Sequence, residues 1–329
     1  MKKISWGVLS TARIGTEKVI PALQRGTCSQ IHAIASRTGE KAQQVAHRLG
    51  IPRAYGSYEA LLADPDIEAV YIPLPNHLHV AWTIRALEAG KHVLCEKPLG
   101  LDGGEAARLI EETKKYPDLR VMEAFMYRFH PQWHSVRQWI SDGTIGEVRH
   151  VHSIFSICNV DPGDIRNRRE TGGGGLLDVG CYCISLSRFL FDDEPKRVFG
   201  AMAHDPRSGV DHLTSGILEF EQGTATFTCS LHLERHQHAE IYGNRGRIDV
   251  ACPFTPPRDH AAKICYHAGS DYEEVICETC DHYAIQGDLF SRALLEDRAV
   301  PTPLEDAVSN MRVIDGIVKS AREGSWVTL

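Results

Sequence analysis

From Ile4 to Phe125 the chain alternates short apolar runs with helical stretches, and few folds accept that order. Strands separated by helices cannot pair as tight hairpins. Each must cross over its neighbour, which builds a parallel sheet with helices packed on both faces. ISWGVLS, IHAIAS, RAY, AVYIPLP, HVLCEKP and RVMEAF read as six strands. EKVIPALQRG, GEKAQQVAHRLG, SYEALLADPD, HVAWTIRALEAG and DGGEAARLIEETKKY read as the intervening helices. Gly50 stops the second of these, and Pro21 should kink or shorten the first.

A helix near PQWHSVRQWISDG leads out of this sheet, and from about residue 147 the order changes. EVRHVHSIFSI is a long strand, HLTSGILEFEQGTATFTCSLHL a hairpin turning at Gln222-Gly223, and HAEIYGNRGRIDVAC a second hairpin turning at NRG. KICYH and EEVICE add short strands, and helices return at YAIQGDLFSRALLED and EDAVSNMRVIDGIVKSAREG. Strands in succession make a largely antiparallel sheet. The reading is thus α/β, with a doubly wound parallel sheet over 1–124 and an α+β domain with an open, mostly antiparallel sheet over 125–329. A length of 329 residues suits two domains.

With 43% hydrophobic and 24% charged residues, the composition is that of a globular protein. A formal charge of −7 argues against a general nucleic-acid or membrane-surface binder. The start MKKISWGVLSTARIG is too interrupted for a signal peptide, and no uninterrupted apolar stretch is long enough to span a bilayer, so the expected location is cytoplasmic. The ten cysteines then read as reduced thiols. Cys277 and Cys280 have metal-ligand spacing but supply only half of a structural zinc pattern, so no metal is expected. The histidines of RHQH, 235 to 238, read as surface or sheet residues.

The turn after the first strand, LSTARIG, occupies the place of a Rossmann G-x-G-x-x-G fingerprint but reads Ser10, Ala12 and Gly15. The three fingerprint glycines serve, in turn, the bend, close approach to pyrophosphate, and helix–strand packing. Serine can make the bend if its φ is negative, and its hydroxyl can donate to a phosphate oxygen. Alanine adds one methyl, and Gly15 keeps the packing position. The backbone N–H groups at the helix start, which bind phosphate, survive these changes. Ser10, Thr11, Ala12, Arg13 and Ile14 are therefore candidate cofactor contacts. At the end of the second strand, where an NAD site carries a carboxylate for the ribose 2′-OH, the chain reads Ser36 and Arg37, with Lys41 close behind. Arg37 can meet a 2′-phosphate with two charge-assisted hydrogen bonds, which favours NADP over NAD.

CEKP delivers Glu96 and Lys97 at the carboxyl end of the fifth strand, where an open parallel sheet lines its ligand crevice. Further on, ETGGGGLLDVGCYCISLSRFLF places four glycines, Gly172 to Gly175, before a helix bearing Asp178 and Tyr182. The glycines permit close backbone approach to a ligand. Asp178 and Tyr182, four apart, share a helix face. They suit either catalysis or a dipole-favoured acid beside a core tyrosine.

Together GVLSTARIG, IPLPNHLHVAWTIRALEAGKHVLCEKPLG, MEAFMYRFHP, GGGGLLDVGCYCI and PLEDAVSNMRVIDGIVKSAREG resemble the Gfo/Idh/MocA family of NAD(P)-dependent oxidoreductases, and they span nearly the whole chain in order. Tyr182, where the inositol dehydrogenase type has histidine, and the S-x-A-x-x-G turn are more similar to the dihydrodiol dehydrogenase and NADP-dependent D-xylose 1-dehydrogenase branch. The resemblance implies that Lys97 touches nicotinamide ribose and substrate hydroxyl, that Tyr182 is the general acid/base, and that Asp178 orients the substrate or its partner. Pro73, Asn76 and His79 would lie beside the cofactor, and Arg128, His130, Arg166 and Arg168 would face the substrate. A homodimer or higher homo-oligomer is also implied.

The chemistry that follows is coherent. A phenol with an ordinary pKa of about 10 is a poor base at neutral pH, and a neighbouring ammonium stabilises its phenolate. Tyr182 assisted by Lys97 would remove the proton of a sugar or polyol hydroxyl as hydride leaves its carbon, as in aldose C1 to lactone. Oxidation of a trans-dihydrodiol and reduction of a keto- or anhydro-sugar are the alternatives. A non-catalytic NADP(H)-binding sensor is a third reading, which would have no need for Lys97, Asp178 and Tyr182 together.

Overall fold

The computed structural model describes residues 2–329, and the chain divides into two compact units. One comprises Met1–Met126 with Asp281–Val308, the other Tyr127–Cys280 with Ser309–Leu329. The sequence reading has one crossing, after residue 124. The chain crosses instead after Met126, after Cys280 and after Val308, so 281–308 is lost from the second domain expected at 125–329.

In chain order the first strands and helices are β1 (Ile4–Leu9), α1 (Ile20–Arg25), β2 (Ser29–Ala35), α2 (Gly39–Leu49), β3 (Arg53–Tyr55) and α3 (Tyr58–Leu62). Then come β4 (Ala69–Ile72), α4 (His79–Glu88), β5 (His92–Cys95), α5 (Gly103–Thr113) and β6 (Val121–Glu123). The next are α6 (Gln132–Ser141), β7 (Val148–Cys158), α7 (Cys181–Phe191), β8 (Arg197–His204), β9 (Asp211–Glu219) and β10 (Thr224–Ser230). β11 (His232–Gly243), β12 (Arg247–Val250), β13 (Ala262–Ala268), β14 (Asp271–Cys277), α8 (His282–Leu295), α9 (Leu304–Glu323) and β15 (Val327–Thr328) complete the chain.

In the first unit six parallel strands take the order β3-β2-β1-β4-β5-β6. Strand order reverses between β1 and β4, and a doubly wound sheet opens its ligand crevice at the carboxyl ends of such a pair. The helix after β1 begins as a π turn, Gly15–Val19, before continuing as α1. Pro21 therefore lies inside one continuous helical run, directly after the π turn, where it has no N–H to give the preceding turn. Gly50 ends α2 in the left-handed conformation at φ 64°.

The return of 281–308 has a local cause. Trp6 is fully buried because α8 covers it: its Nε1 donates to Ser291 Oγ at 3.1 Å, and its ring meets Phe290 at 5.4 Å. Asp288 accepts the backbone N–H groups of Thr27 and Cys28 at 2.8 and 2.9 Å, which fixes the start of β2 to the same helix.

The second unit holds nine strands in the order β14-β13-β12-β11-β7-β10-β9-β8-β15. Both expected hairpins are present, β9/β10 and β11/β12, each antiparallel. The sheet is antiparallel except where β7 and β10 run parallel. Among the described residues, the helical run 169–191 is long and apolar enough by composition to cross a membrane, but it is mostly buried as core.

Candidate functional site

In the first unit the candidates gather at the carboxyl ends of β1, β2, β4 and β5. Ser10 makes the bend after β1 with φ 149°, not with the negative φ expected of it, so a serine occupies a backbone conformation that favours glycine. Its hydroxyl oxygen accepts the N–H of Ala12 at 3.0 Å, which ties the turn internally. Thr11, Ala12 and Ile14 are half-buried, and Arg13 is exposed with its Nε 2.9 Å from Glu17 Oε1. Gly15 is buried; a Cβ there would meet Pro73 Cγ at 3.4 Å, so the turn packs on the loop after β4.

Ser36 is buried after β2, whereas Arg37 and Lys41 are exposed. Ser36, Arg37 and Thr38 bring no carboxylate to the strand end. Tyr58, at the start of α3, was missed by the sequence reading. Burial raises the pKa of its phenol, and the nearby Arg37 charge and Ser10 hydroxyl oppose the rise. An aromatic two residues beyond a loop glycine has no local signature, so only the fold joins Ser10, Arg37 and Tyr58.

Asn76 opens a short 3₁₀ turn, Asn76–Leu78. His79 follows, fully buried, with Nδ1 2.7 Å from the Pro98 carbonyl and Nε2 2.7 Å from the Leu74 carbonyl. Burial holds its pKa down to about 4 against those two acceptors. With both nitrogens engaged, His79 acts on a ligand only through the two loops it ties. Glu96 accepts the hydroxyl of buried Tyr71 at 2.5 Å, and Glu123 accepts the N–H of Leu99 at 2.7 Å. The Lys97–Pro98 bond is cis, and Lys97 is half-buried. Lys97 thus sits on a segment held on both flanks.

In the second unit the glycine run explains how Arg166 and Asp178 meet. Gly174 and Gly173 donate their N–H groups to the carbonyls of Arg166 and Arg168, each at 2.9 Å, so the chain doubles back on itself. The close approach that the glycines permit is to this backbone and to Asp211. Gly174 has φ 128°, and a Cβ there would strike Asp211 Oδ1. Arg166 Nε then donates to Asp178 Oδ2 at 2.7 Å, and the Asp178 charge holds the guanidinium protonated. Arg168 is exposed, its Nε 3.3 Å from the Pro162 carbonyl.

Asp178 lies in a π turn, Leu176–Gly180, which passes into α7 ahead of Tyr182. Single π turns recur at functional sites. Asp178 thus stands within the π turn and Tyr182 in the first turn of α7. Asp211 fixes this start: its Oδ2 accepts the Leu176 N–H at 2.7 Å and the Thr214 hydroxyl at 2.8 Å, while burial raises its pKa. Asp211 opens a strand 35 residues downstream of Leu176, and no sequence pattern links the two.

Tyr182 is 5% exposed, its ring 5.5–5.7 Å from those of Phe155, Phe254 and Tyr127. Arg128 Nη2 and the Tyr127 hydroxyl both reach Ser185 Oγ at 2.8 Å, so Arg128 braces α7. His130 is buried, its Nδ1 accepting the Gln132 N–H at 3.2 Å, and burial lowers its pKa to about 4. Cys277 is buried and Cys280 half-buried; the metal-ligating atoms that converge among the described residues lie elsewhere.

A doubly wound sheet with an anion-ready turn, joined to a unit built on an open antiparallel sheet, defines a two-unit dinucleotide-fold protein. Residues 4–125 match the family model described as oxidoreductase family, NAD-binding Rossmann fold, and residues 133–249 match the GFO/IDH/MocA C-terminal domain. The chain belongs to the Gfo/Idh/MocA family of oxidoreductases. It is 39% identical over 326 residues to a D-xylose 1-dehydrogenase (NADP(+)) of Haloferax volcanii, covering 98% of this chain and 99% of that one. It is 32% identical over 258 residues to the trans-1,2-dihydrobenzene-1,2-diol dehydrogenase of Xenopus tropicalis, covering 77% and 76% of the two chains. Among solved structures, a 3-ketoreductase from Actinomadura kijaniata in complex with NADP and TDP-benzene superposes with a TM-score of 0.91 at 32% identity, over 97% of this chain and 98% of that one.

Proposed function

We propose that the protein passes hydride between NADP(H) and a hydroxyl or carbonyl carbon of a sugar or related polyol. The observation that carries the cofactor is the placement of Ser10 and Arg37 just past the carboxyl ends of the adjacent parallel strands β1 and β2. An exposed guanidinium there fits a 2′-phosphate, and no carboxylate at that strand end would repel one. The N–H groups that open the helix after β1 would take the pyrophosphate. When bound, the nicotinamide supplies or accepts the hydride.

The chain's own residues supply the rest. Tyr182 gives and takes the proton of the substrate oxygen, Asp178 with Arg166 sets the orientation, and Lys97 is the charged group offered at the cofactor crevice. The NADP linkage and sugar chemistry in the names of the relatives support this reading.

A panel of aldoses, polyols and trans-dihydrodiols, assayed in parallel with NADP⁺ and NAD⁺, tests it. Turnover on a sugar with preference for NADP⁺ is expected. Cofactor binding without turnover on any panel member would make the protein a sensor.

A further inference from the structure

The last strands of the second unit carry a set of side chains that the proposed reaction does not use. The register of the antiparallel sheet puts Asp249 of β12 directly opposite Cys265 of β13 and, on its other side, opposite Glu240 of β11. His267 is two residues from Cys265, and His238 two residues from Glu240, so alternation returns all five to the same face. The opposite face is the packed one, with Ala239, Ile241, Ile248, Val250 and Ile264 buried.

The contacts have the dimensions of a coordination shell. Asp249 Oδ2 lies 3.6 Å from His267 Nε2 and 3.9 Å from Cys265 Sγ, and Cys265 Sγ lies 3.9 Å from His267 Nε2. Ligand atoms around a tetrahedral zinc ion, with bonds of about 2.0–2.3 Å, stand about 3.4–3.6 Å apart. The triangle therefore needs to contract by only a few tenths of an ångström. His238 Nε2 approaches the other oxygen, Asp249 Oδ1, at 4.0 Å, and His238, Glu240 and Asp249 form a second converging triad on the shared carboxylate.

We propose that Asp249, Cys265 and His267 form a binding site for a borderline-soft divalent cation of the zinc type, with a fourth position open to water on the His238 side. A thiolate, an imidazole and a carboxylate together select zinc over magnesium or calcium, which prefer oxygen alone. One thiolate and one carboxylate neutralise the ion. Binding releases the Cys265 proton to solvent and forms the metal–sulfur bond. Arg247 Nε, 3.2 Å from Asp249 Oδ2, keeps its hold on the carboxylate and orients it. Tyr272, with its ring 4.8 Å from that of His267, steadies the imidazole. The site joins the β12 and β13 strands of the open sheet and stands apart from Lys97, Asp178 and Tyr182 in sequence and in proposed role. The dipeptide-spaced C-x-H of 265–267 is its only sequence signal, since the partner carboxylate is supplied by register.

Cobalt(II) added to the purified full-length protein tests the site. One equivalent should bind per chain, with tetrahedral d–d bands and a thiolate-to-cobalt charge-transfer band, and equimolar zinc should displace it. Cys265→Ser should abolish the charge-transfer band, and His267→Ala should weaken affinity at least about tenfold, on the scale of losing one ligand. Cys280→Ser should leave the spectrum unchanged. Saturating zinc should raise the thermal midpoint of the wild type and not that of Cys265→Ser. Far-ultraviolet circular dichroism and oxidoreductase turnover establish that each variant is folded. Absence of the charge-transfer band at saturating cobalt would overturn the proposal, as would a band that survives Cys265→Ser.

Discussion

The molecule bends its backbone sharply twice before a helix of functional interest, and it does so with opposite materials. After β1 the bend is Ser10 at φ 149°, a serine where glycine is favoured, held by its own hydroxyl on the Ala12 N–H. Before α7 the bend is Gly172 to Gly175, with Gly172 at φ 75° and Gly174 at φ 128°. Both lead into a π turn, Gly15–Val19 in one case and Leu176–Gly180 in the other. The difference lies in what crowds the bend. At Ser10 the side chain turns back on its own backbone, its hydroxyl on the Ala12 N–H. At Gly174 the space belongs to Asp211, and at Gly173 to the backbone of Arg166 and Arg168. The first turn is held by its own serine hydroxyl, and the second is closed on Asp211 and the backbone of Arg166 and Arg168.

The sharpest break in the comparison is Tyr182→Phe, which removes the phenol and leaves both bends intact. Turnover should fall by about 10²–10⁴-fold, the range for loss of a positioned acid/base, while NADP(H) affinity holds; titration of cofactor fluorescence alongside kcat separates the two. Retained turnover would return Tyr182 to the core. Gly174→Ala comes next. It places a methyl on Asp211 in a conformation alanine avoids, and should cost about 2–4 kcal/mol by overpacking and backbone strain, read from the urea midpoint. The damage should appear in kcat, with cofactor affinity again unchanged.

Acid extends the contrast to two buried histidines. His130 accepts a backbone N–H and stays neutral, with a folded pKa of about 4 against an unfolded value of about 6.5. Its contribution is present above pH 6.5 and is lost as pH falls toward 4, because the unfolded ring takes up the proton first. The loss should reach at most about 3 kcal/mol, visible as a thermal midpoint that declines across that window. His79, between two carbonyls, carries a depression of the same direction. The smallest effect is Ser10→Gly, which relieves the positive φ and forfeits the Oγ contact to Ala12. Stability should change by about 1 kcal/mol or less, and NADP(H) affinity should stay within severalfold, since the phosphate donors are backbone N–H groups.

Much of the first unit was legible because its information is local. Apolar runs set the six strands, Gly50 ended its helix, and Gly15 kept the packing position. Lys97 and Arg37 could be placed because strand ends of a parallel sheet point one way. What escaped depends on distant pairings. Asp211 caps Leu176 across a strand, and Tyr58 meets Ser10 only once β3 is beside β2. The parallel pairing of β7 with β10 follows from no hairpin rule. β8 was passed over as well, and its accessible residues give it little periodicity. The two π turns leave no trace in composition, since they are a shift of hydrogen-bond register.

The covering of Trp6 by α8 has a consequence for the order of folding. During synthesis the six parallel strands emerge early, but the helix that closes over β1 is encoded beyond residue 281, after almost all of the second unit. A nascent chain ending at residue 124 would leave Trp6 and the start of β2 without their partners Phe290, Ser291 and Asp288. Vectorial folding of the first unit as an independent early domain is therefore interrupted, and its completion waits for the chain to return.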